Sequence, residues 1–592
     1  MHVGDGIPAS PGIVIGPARV VGWDPPRIAH ETIEPSDIDR EIERFNDARA
    51  TARDELRVLM EYTARRLGSV EAQIFEPQLL MLDDVDLVER TIAYIRENHL
   101  SAARAFSLRL LEFRSEWRGS GHPMVMDRLN DLMDVEIRIL RALLGLPHTE
   151  LIVPGQTVKS IVVARELTPS LTVQLDRDAV LGVAIDAGSR TSHSAIIARA
   201  LEIPAVVGLT DLAEKVETGD EIILDGREGR VIVNPTTEQK RLYRERDIRV
   251  REWDQELILL AHLEAATPDR QPLTLRANID LPAEATSARE HGAQGVGLFR
   301  TEFLVVGRSI VPEEEEQYEA YRQVTDVFPD QAVFIRTFDL GGDKFPRFLH
   351  LPPEENPFLG WRAIRVCLDM PDLFRTQLRA ALRATAHGDV RIMVPFITDI
   401  AEIQATREML EEQEAALHAE GIAFNAGYKL GIMIETPAAA LIATELTRYA
   451  DFFSIGTNDL VQYTLAVDRG NAKLAPRFKT FHPAVLRLIQ HTAHAARAAG
   501  IELSCCGEMA AHPLGVLLLM GLDVTALSMG ATSLPEIKKL VRSVPMSAAT
   551  SAVEEALGAD TAEKVSAILT RGIEPYIDLS LFTGRWNLAG SR

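Results

Sequence analysis

The sequence predicts a multidomain α/β chain: a β/α domain interrupted by a helical bundle, followed by a C-terminal (β/α)8 TIM barrel. Three observations predict it. Eight strand-like apolar runs alternate with helical stretches across residues 263–592. A segment near the N-terminus keeps helical periodicity with few Pro or Gly. Short strand-like runs punctuated by Pro and Gly lie on either side of that segment.

The elements follow in order. Residues 7–21 read as short strands broken by Pro and Gly. Ser36 and Asp39 carry the spacing of a helix-start capping signal. Ile38, Ile42, Phe45, Ala48, Ala52, Leu56 and Leu59 then recur every three or four residues, as on one helix face. Helical patterning continues through 71–116 and 126–145, so residues 26–146 form the bundle. Strand-like runs return at 160–164, 179–185, 204–208 and 221–225. Residues 1–25 and 147–234 are therefore expected to make one discontinuous domain around the bundle. Residues 235–262 are polar and begin with a second capping pair, Thr236 and Gln239, which predicts a linker helix. The barrel runs are 273–279, 295–302, 333–339, 391–396, 430–435, 452–459, 502–508 and 525–530.

Composition narrows the function classes. A chain of 592 residues corresponds to about four domains at roughly 150 residues each. The formal net charge of −23 speaks against a nucleic-acid binder, which carries a basic stripe, and suits a soluble protein or one with a basic partner. Three cysteines, Cys367, Cys505 and Cys506, are an odd number with two adjacent, which points to a reducing compartment rather than a disulfide framework. The first residues have neither the basic nor the apolar region of a signal peptide, and no apolar run approaches the ~18 residues of a membrane helix. A cytoplasmic protein with no membrane association is expected.

Two sets of residues carry chemistry. In the first, a strand ending near Asp186 leads through a glycine-containing turn to a helix opening near His193, with Thr191, Ser192 and Ser194 around it. Helix N-termini hold unpaired N–H groups and partial positive charge, so a phosphoryl group on His193 would meet donors there. A lone histidine at such a place is more often a cap or a core residue; the whole string sets this one apart. In the second, barrel strands end on Arg300 and Glu302, Arg336 and Asp339, Glu435, Asn458 and Asp459, and Cys506 and Glu508. Barrel enzymes work at these ends. Glu435 and Asp459 form a hard-oxygen pair suited to Mg²⁺. Arg300, Arg336 and Arg469, with Arg362 as a further contact, can grip phosphate and carboxylate groups. Cys506 at the barrel mouth can act as a general acid.

The string from Gly188 to Arg199 resembles the phosphohistidine motif of enzyme I, PEP synthase and pyruvate phosphate dikinase, with Ser189 where a second glycine is usual. The runs 297–304, 336–344, 354–362, 435–439 and 451–460 are similar to the enzyme I family in the same order, and the resemblance spans essentially the whole chain. It implies a swivelling phosphohistidine domain with His193 as phosphoacceptor. It implies Arg300, Arg336, Asn458, Asp459 and Arg469 as contacts to phosphoenolpyruvate (PEP), Glu435 and Asp459 as Mg²⁺ ligands, and Cys506 as the acid that protonates the leaving enolate to give pyruvate. It further implies a homodimer through the barrel. The helical insertion would dock the phosphocarrier HPr, with Ile74-Phe75-Glu76 and Leu82-Asp83-Asp84 similar to the family's docking helices and Gln78 where a histidine is common. An ATP-dependent synthase or dikinase would need a large ATP-binding domain ahead of His193, where the sequence shows only short strands and the bundle. The absence of an added sensor segment makes the sugar phosphotransferase system the expected setting.

Overall fold

The computed structural model describes residues 2–21, 26, 28, 32–66, 75–118, 123–146, 159–167, 180–187, 198, 203–305, 311–341, 354, 356–469, 471 and 473–582. They fall into two compact units, which divide between Arg251 and Glu252.

The first unit contains an eight-stranded mixed sheet. Its strands are β1 (His2–Asp5), β2 (Ile7–Ser10), β3 (Ile13–Val21), β4 (Ser160–Ala164), β5 (Val180–Ile185), β6 (Ala205–Val207), β7 (Glu221–Asp225) and β8 (Arg230–Val233). Their order is β1-β8-β7-β3-β4-β5-β6-β2. β3 and β4 pair in parallel, with Ala18 opposite Ile161 and Val21 opposite Ala164, so chain from before and after the helical segment shares one sheet. The central strands read as unbroken apolar runs because both faces are covered. Val162, Ala164, Val183 and Ile185 enter one core, while Ile161, Val163 and Ala184 enter the other.

Among the described residues, five helices lie between β3 and β4: Ile38–Arg66, Glu76–Leu82, Val85–Asn98, Ala102–Arg118 and Pro123–Leu144. Phe45, Ala48, Ala52 and Leu56 are buried in their common core with Phe75, Phe106 and Leu140, and Ile38, Ile42 and Leu59 pack against its edge. The start of the first helix differs from the expectation. Ser36 does not cap it; Pro35 opens a 3-10 turn, Pro35–Asp37, that runs directly into Ile38, and no side chain caps the turn. Proline presets the first helical dihedral, so the chain is already wound where Ser36 stands. The second capping pair forms: the Thr236 N–H donates to Gln239 Oε1 at 2.9 Å and the Gln239 N–H to Thr236 Oγ1 at 3.2 Å, heading the helix Thr237–Leu260.

The second unit is a closed barrel of eight parallel strands: β9 (Thr274–Ile279), β10 (Val296–Phe299), β11 (Val333–Arg336), β12 (Val390–Val394), β13 (Lys429–Ile434), β14 (Phe452–Ile455), β15 (Glu502–Cys505) and β16 (Ala526–Gly530), which pairs back onto β9. Each of the eight apolar runs read from the sequence overlaps one of these strands; six contain theirs whole, and the runs 391–396 and 430–435 begin one residue late, after Val390 and Lys429. Leu298, Phe334, Met393, Met433 and Phe452 fill the interior, with the Phe334 and Phe452 rings edge to face at 4.8 Å. Charged side chains close the floor. Glu502 accepts from Arg276 Nη1 and Arg391 Nη1, both at 2.5 Å. The two guanidinium groups lie 4.7 and 5.0 Å from the Phe334 ring centroid. Among the described residues no helix is long and apolar enough to cross a membrane.

Removing the acid that joins two buried cations takes from Arg276 the carboxylate it is bonded to, while Arg391 keeps Asp389. Breaking a fully buried pair costs ~3–5 kcal/mol. Glu502 keeps some solvent contact, with a quarter of its side chain exposed, so Glu502→Ala is expected to destabilise the barrel by about 2 kcal/mol. Calorimetry checks this: a lowered barrel transition is expected, and an unchanged one would mean that solvent screens the floor charges.

Candidate functional site

The C-terminal ends of the barrel strands converge on a chain of paired charges. β11 ends on Arg336, whose Nη2 donates to Glu302 Oε1 at 2.8 Å and whose Nη1 lies 3.2 Å from Asp339 Oδ2. Asp339 also accepts from Arg362 Nη2 at 2.9 and 3.1 Å. The same Arg362 nitrogen reaches Asp459 Oδ2 at 3.1 Å, and Arg362 Nη1 donates to the Tyr463 hydroxyl at 2.7 Å. The Arg362 guanidinium stands 4.6 Å from the centroid of the Phe396 ring. Burial disfavours the charge on Arg336 and Arg362, but the surrounding carboxylates outweigh it and hold both above the ordinary arginine value.

Glu435 follows β13, is 3 % exposed, and accepts from the Phe396 N–H at 2.7 Å. Burial pushes its carboxyl up to about 8, with the charges of Asp459 and Asp339 adding to the effect and Arg336 and Arg362 opposing it. Gly456 makes room for it: a Cβ there would lie 2.8 Å from Glu435 Oε2. Asn458 and Asp459 sit in the first turn of the helix Thr457–Leu465. Asn458 Nδ2 donates to Glu508 Oε1 at 3.3 Å, and the Glu508 N–H returns a bond to Asn458 Oδ1 at 3.2 Å.

Cys506 directly follows β15 and is 4 % exposed. Its N–H donates to the Ile455 carbonyl at 3.1 Å, and its own carbonyl accepts from Asn278 Nδ2 at 2.9 Å. Burial raises the thiol above its ordinary value; a hydrogen bond with Ser454 opposes this, Glu435 adds to it, and Arg336 and Arg300 oppose it again. The net effect keeps a proton on sulfur at neutral pH. Cys505 and Cys367 are also buried, free thiols.

Arg300 and Arg469 differ from the other two arginines. Arg300 Nη1 donates to Asp280 Oδ1 at 2.6 Å, and its side chain is 38 % exposed. Arg469 is exposed, held through its N–H to Gln462 Oε1 at 3.3 Å. The barrel mouth thus gathers Arg300, Arg336, Glu435, Asp459 and Cys506 around one charge network, with Asn458 at its edge and Arg469 on the following loop. His193 and residues 188–197 around it lie outside the described residues. Sequence reasoning assigned no role to Tyr463 or Asn278 and gave Arg362 a minor one. Arg362 is the hub, and its bond to Asp459 spans 97 positions, a separation that no local motif encodes.

The donor set fits a divalent cation in its chemistry. Glu435 and Asp459 are oxygen donors close enough to repel one another, and Glu435 holds a proton that a cation would displace. Among the described residues no three or more His, Cys, Asp or Glu side chains form a ready metal cluster. Two carboxylates can hold a hard divalent cation that keeps waters and substrate oxygens in its shell.

In two of the strings marked for partner docking, several residues serve the bundle itself. Phe75 and Leu82 are core, Asp83 pairs with Arg53, and the Asp84 carboxylate caps the next helix through the Leu87 N–H at 2.8 Å. Gln78 is fully buried and donates to Asp131 Oδ1 at 3.2 Å. Ile74 lies outside the described residues.

Comparisons with known proteins bear on the whole chain. Three family models match in sequence order: "PEP-utilising enzyme, N-terminal" over residues 5–128, "PEP-utilising enzyme, mobile domain" over 157–229, and "PEP-utilising enzyme, PEP-binding domain" over 254–546. The phosphoenolpyruvate-protein phosphotransferase of Geobacillus stearothermophilus is 40% identical over 566 residues, covering 96% of this chain and 97% of that protein. The protein of the same name from Haemophilus influenzae is 40% identical, covering 95% and 98%. An NMR solution structure of Enzyme I is 36% identical over 42% of this chain and 98% of its own, at a TM-score of 0.35, too low to bear on the fold.

Glu435 gives the mouth a pH signature. The folded chain holds this proton to about pH 8, whereas an unfolded glutamate releases it near 4.5. The unfolded state therefore binds fewer protons across that window, and stability falls as pH rises through it. Each tenfold displacement of a proton equilibrium is about 1.4 kcal/mol, so the loss reaches up to roughly 4 kcal/mol. The thermal midpoint of metal-free protein is expected to fall between pH 5 and 8, and Glu435→Gln to flatten that fall. Equal slopes in both proteins would place the proton elsewhere.

Proposed function

The chain belongs to the phosphoenolpyruvate–protein phosphotransferase family and is a PEP-dependent phosphotransferase; from that premise we propose that it transfers the phosphoryl group of PEP to its own His193 and then to a histidine of the carrier HPr, releasing pyruvate in the first step of the sugar phosphotransferase system. The observation that carries this reading is the buried charge chain at the barrel mouth, from Glu302 through Arg336, Asp339 and Arg362 to Asp459. Its arginines are held charged and in place before any substrate arrives, which phosphoryl transfer by positioning and electrostatics requires.

In this mechanism Arg336, with Arg300 and Arg469, takes the carboxylate and phosphate of PEP. Asn458 and Asp459 orient the substrate from the turn that opens the helix Thr457–Leu465. Glu435 and Asp459 would hold Mg²⁺, which supplies Lewis-acid polarisation of the phosphoryl and enol oxygens when bound. A neutral His193 nitrogen attacks phosphorus in line; the new P–N bond forms as the P–O bond to the enolate breaks. The Cys506 thiol then gives its proton to the methylene carbon. The enolate electron pair becomes the C–H bond, the S–H bond breaks, and pyruvate and a thiolate remain, the thiolate regaining its proton from solvent. The raised proton affinity of Cys506 supports this role, because the acid must still be protonated at neutral pH. Three free, buried cysteines fit a cytoplasmic setting.

Carrier docking is assigned to the helical bundle. Leu80 and Val85 are 74 % and 66 % exposed, and Glu76, Asp83 and Asp86 lie in the same two short helices and the link between them. Such a mixture suits a partner with an apolar patch and basic residues. The family also implies a homodimer through the barrel, which belongs to this proposal.

Incubation with phosphorus-labelled PEP and Mg²⁺, with and without HPr, tests the reading. Acid-labile label is expected on the wild-type chain and is expected to pass to HPr, whereas His193→Ala should take up none. Label on the His193→Ala variant would overturn the phosphoacceptor, and label that never leaves the wild-type chain would overturn the carrier.

A further inference from the structure

The barrel mouth holds a polar relay that the charge network does not use. Asn278, in β9, donates from Nδ2 to the Cys506 carbonyl at 2.9 Å. Its Oδ1 accepts from Ser528 Oγ, in β16, at 2.6 Å. Ser528 is 1 % exposed, and Asn278 is partly buried. The neighbouring strand is shaped to admit this pair: a Cβ on Gly297 would lie 2.5 Å from Ser528 Oγ and 2.6 Å from Ser528 Cβ. Only glycine leaves the Ser528 hydroxyl space to face Asn278.

The relay decides how an Asn side chain is oriented and what it holds. An amide offers one acceptor and one donor end. The hydroxyl of Ser528 can donate to Oδ1, which turns Nδ2 toward the Cys506 carbonyl. Cys506 is then fixed on both sides of its Cα: its N–H is tied to Ile455 and its C=O to Asn278. Its Sγ has a long contact of 3.8 Å to the Ile455 carbonyl and a hydrogen bond with Ser454, both on the neighbouring strand, so the direction of the Cα–Cβ bond, set by the backbone, decides how the thiol meets them and where it points.

We infer that Asn278, oriented by Ser528 in the space left by Gly297, is a positioning residue for the proton donor Cys506. This rests on the proposed role of Cys506 as the acid that protonates the enolate. Asn278 acts through the backbone of Cys506 and touches no reacting atom. Loss of the relay therefore disturbs proton delivery to carbon while leaving the arginines that grip the substrate in place.

The test reads carbon protonation by itself, as exchange of the pyruvate methyl hydrogens for deuterium in D2O. It uses the full-length protein with Mg²⁺ and compares wild type with Cys506→Ala, Asn278→Ala, Asn278→Asp and Ser528→Ala. Asn278→Asp keeps the shape and can accept from Ser528, but an ionised carboxylate cannot donate to the Cys506 carbonyl. Both Asn278 variants are expected to lower kcat for exchange about tenfold, with KM for pyruvate within about twofold, since orientation of an acid of this kind contributes ~10²-fold or more in full. Ser528→Ala should fall in the same direction, and Asn278→Ala with Ser528→Ala combined should fall no further than Asn278→Ala alone. Should Asn278→Ala fail to fold, Asn278→Asp and Ser528→Ala carry the comparison. Wild-type exchange in the Asn278 variants, with exchange lost in Cys506→Ala, would overturn the inference. Normal exchange in Cys506→Ala would instead overturn the assignment of the acid on which it rests.

Discussion

The pairing of buried arginine with buried carboxylate at the barrel mouth is the constraint to which the other features of the site answer. Arg336 and Arg362 are both nearly inaccessible to water, and a guanidinium is tolerated there only with acids and further hydrogen bonds around it. Glu302, Asp339 and Asp459 supply the acids. The backbone makes room: Gly341 adopts φ +150°, and a Cβ on it would lie 2.1 Å from that of Arg362. A second layer holds the strand ends in register. Thr301 Oγ1 donates to the Arg336 carbonyl at 2.9 Å, and Gln377 accepts from the Phe338 N–H at 2.9 Å while donating to Thr301 Oγ1 at 3.1 Å and to the Tyr321 hydroxyl at 3.2 Å. A rigid mouth is the outcome, and its rigidity is a property of hydrogen bonds internal to the chain.

How much of this could be read from the sequence follows from the range of each interaction. The barrel strands were legible because parallel strands covered on both faces must be apolar at nearly every position, and runs such as 391–394 and 430–434 are. The edge strand β1 of the first sheet was not. β1 reads HVGD, half polar, and is fixed in place by pairing with β8 in the register His2 to Val233 and Asp5 to Arg230. The capping pair Thr236 and Gln239 is local and was legible; the apparent pair at Ser36 was overridden by its neighbour Pro35. In the site, the reactive residue types at strand ends stood out, whereas their partners did not. Asn278 and Ser528 are 250 positions apart and meet only because the barrel closes.

Charge parity at the mouth links the fold to its chemistry. Arg300, Arg336 and Arg362 face Asp280, Glu302, Asp339, Glu435 and Asp459. In the folded chain these acids already outnumber the arginines, and burial, with the charges of Asp459 and Asp339 adding to it, loads Glu435 with a proton. An anionic substrate adds negative charge to the same volume. A divalent cation held by Glu435 and Asp459 would restore balance, because it would bring two charges to one point and displace the Glu435 proton. The affinity for cation and that for an anionic substrate are then linked, each lowering the electrostatic cost of the other.

The four arginines divide accordingly. Arg336 and Arg362 are preset, with their charges committed to neighbouring acids before substrate arrives. Arg300 has one acid partner and is partly exposed, and Arg469 is exposed on a loop with no ion pair among the described residues. On the proposed chemistry, the preset pair supplies the fixed field in which charge moves from phosphorus to the enol oxygen, where reorganisation at the moment of reaction would be costly. The exposed pair is free to leave solvent or a weak partner and close on the substrate, so it governs capture. The proposed proton donor belongs with the preset group. Cys506 is buried, keeps its proton, and is tied by backbone hydrogen bonds to two other strands. A donor so constrained can meet the carbon only where the rest of the mouth places it, which makes the geometry of protonation a property of the barrel and not of the mobile part of the reaction.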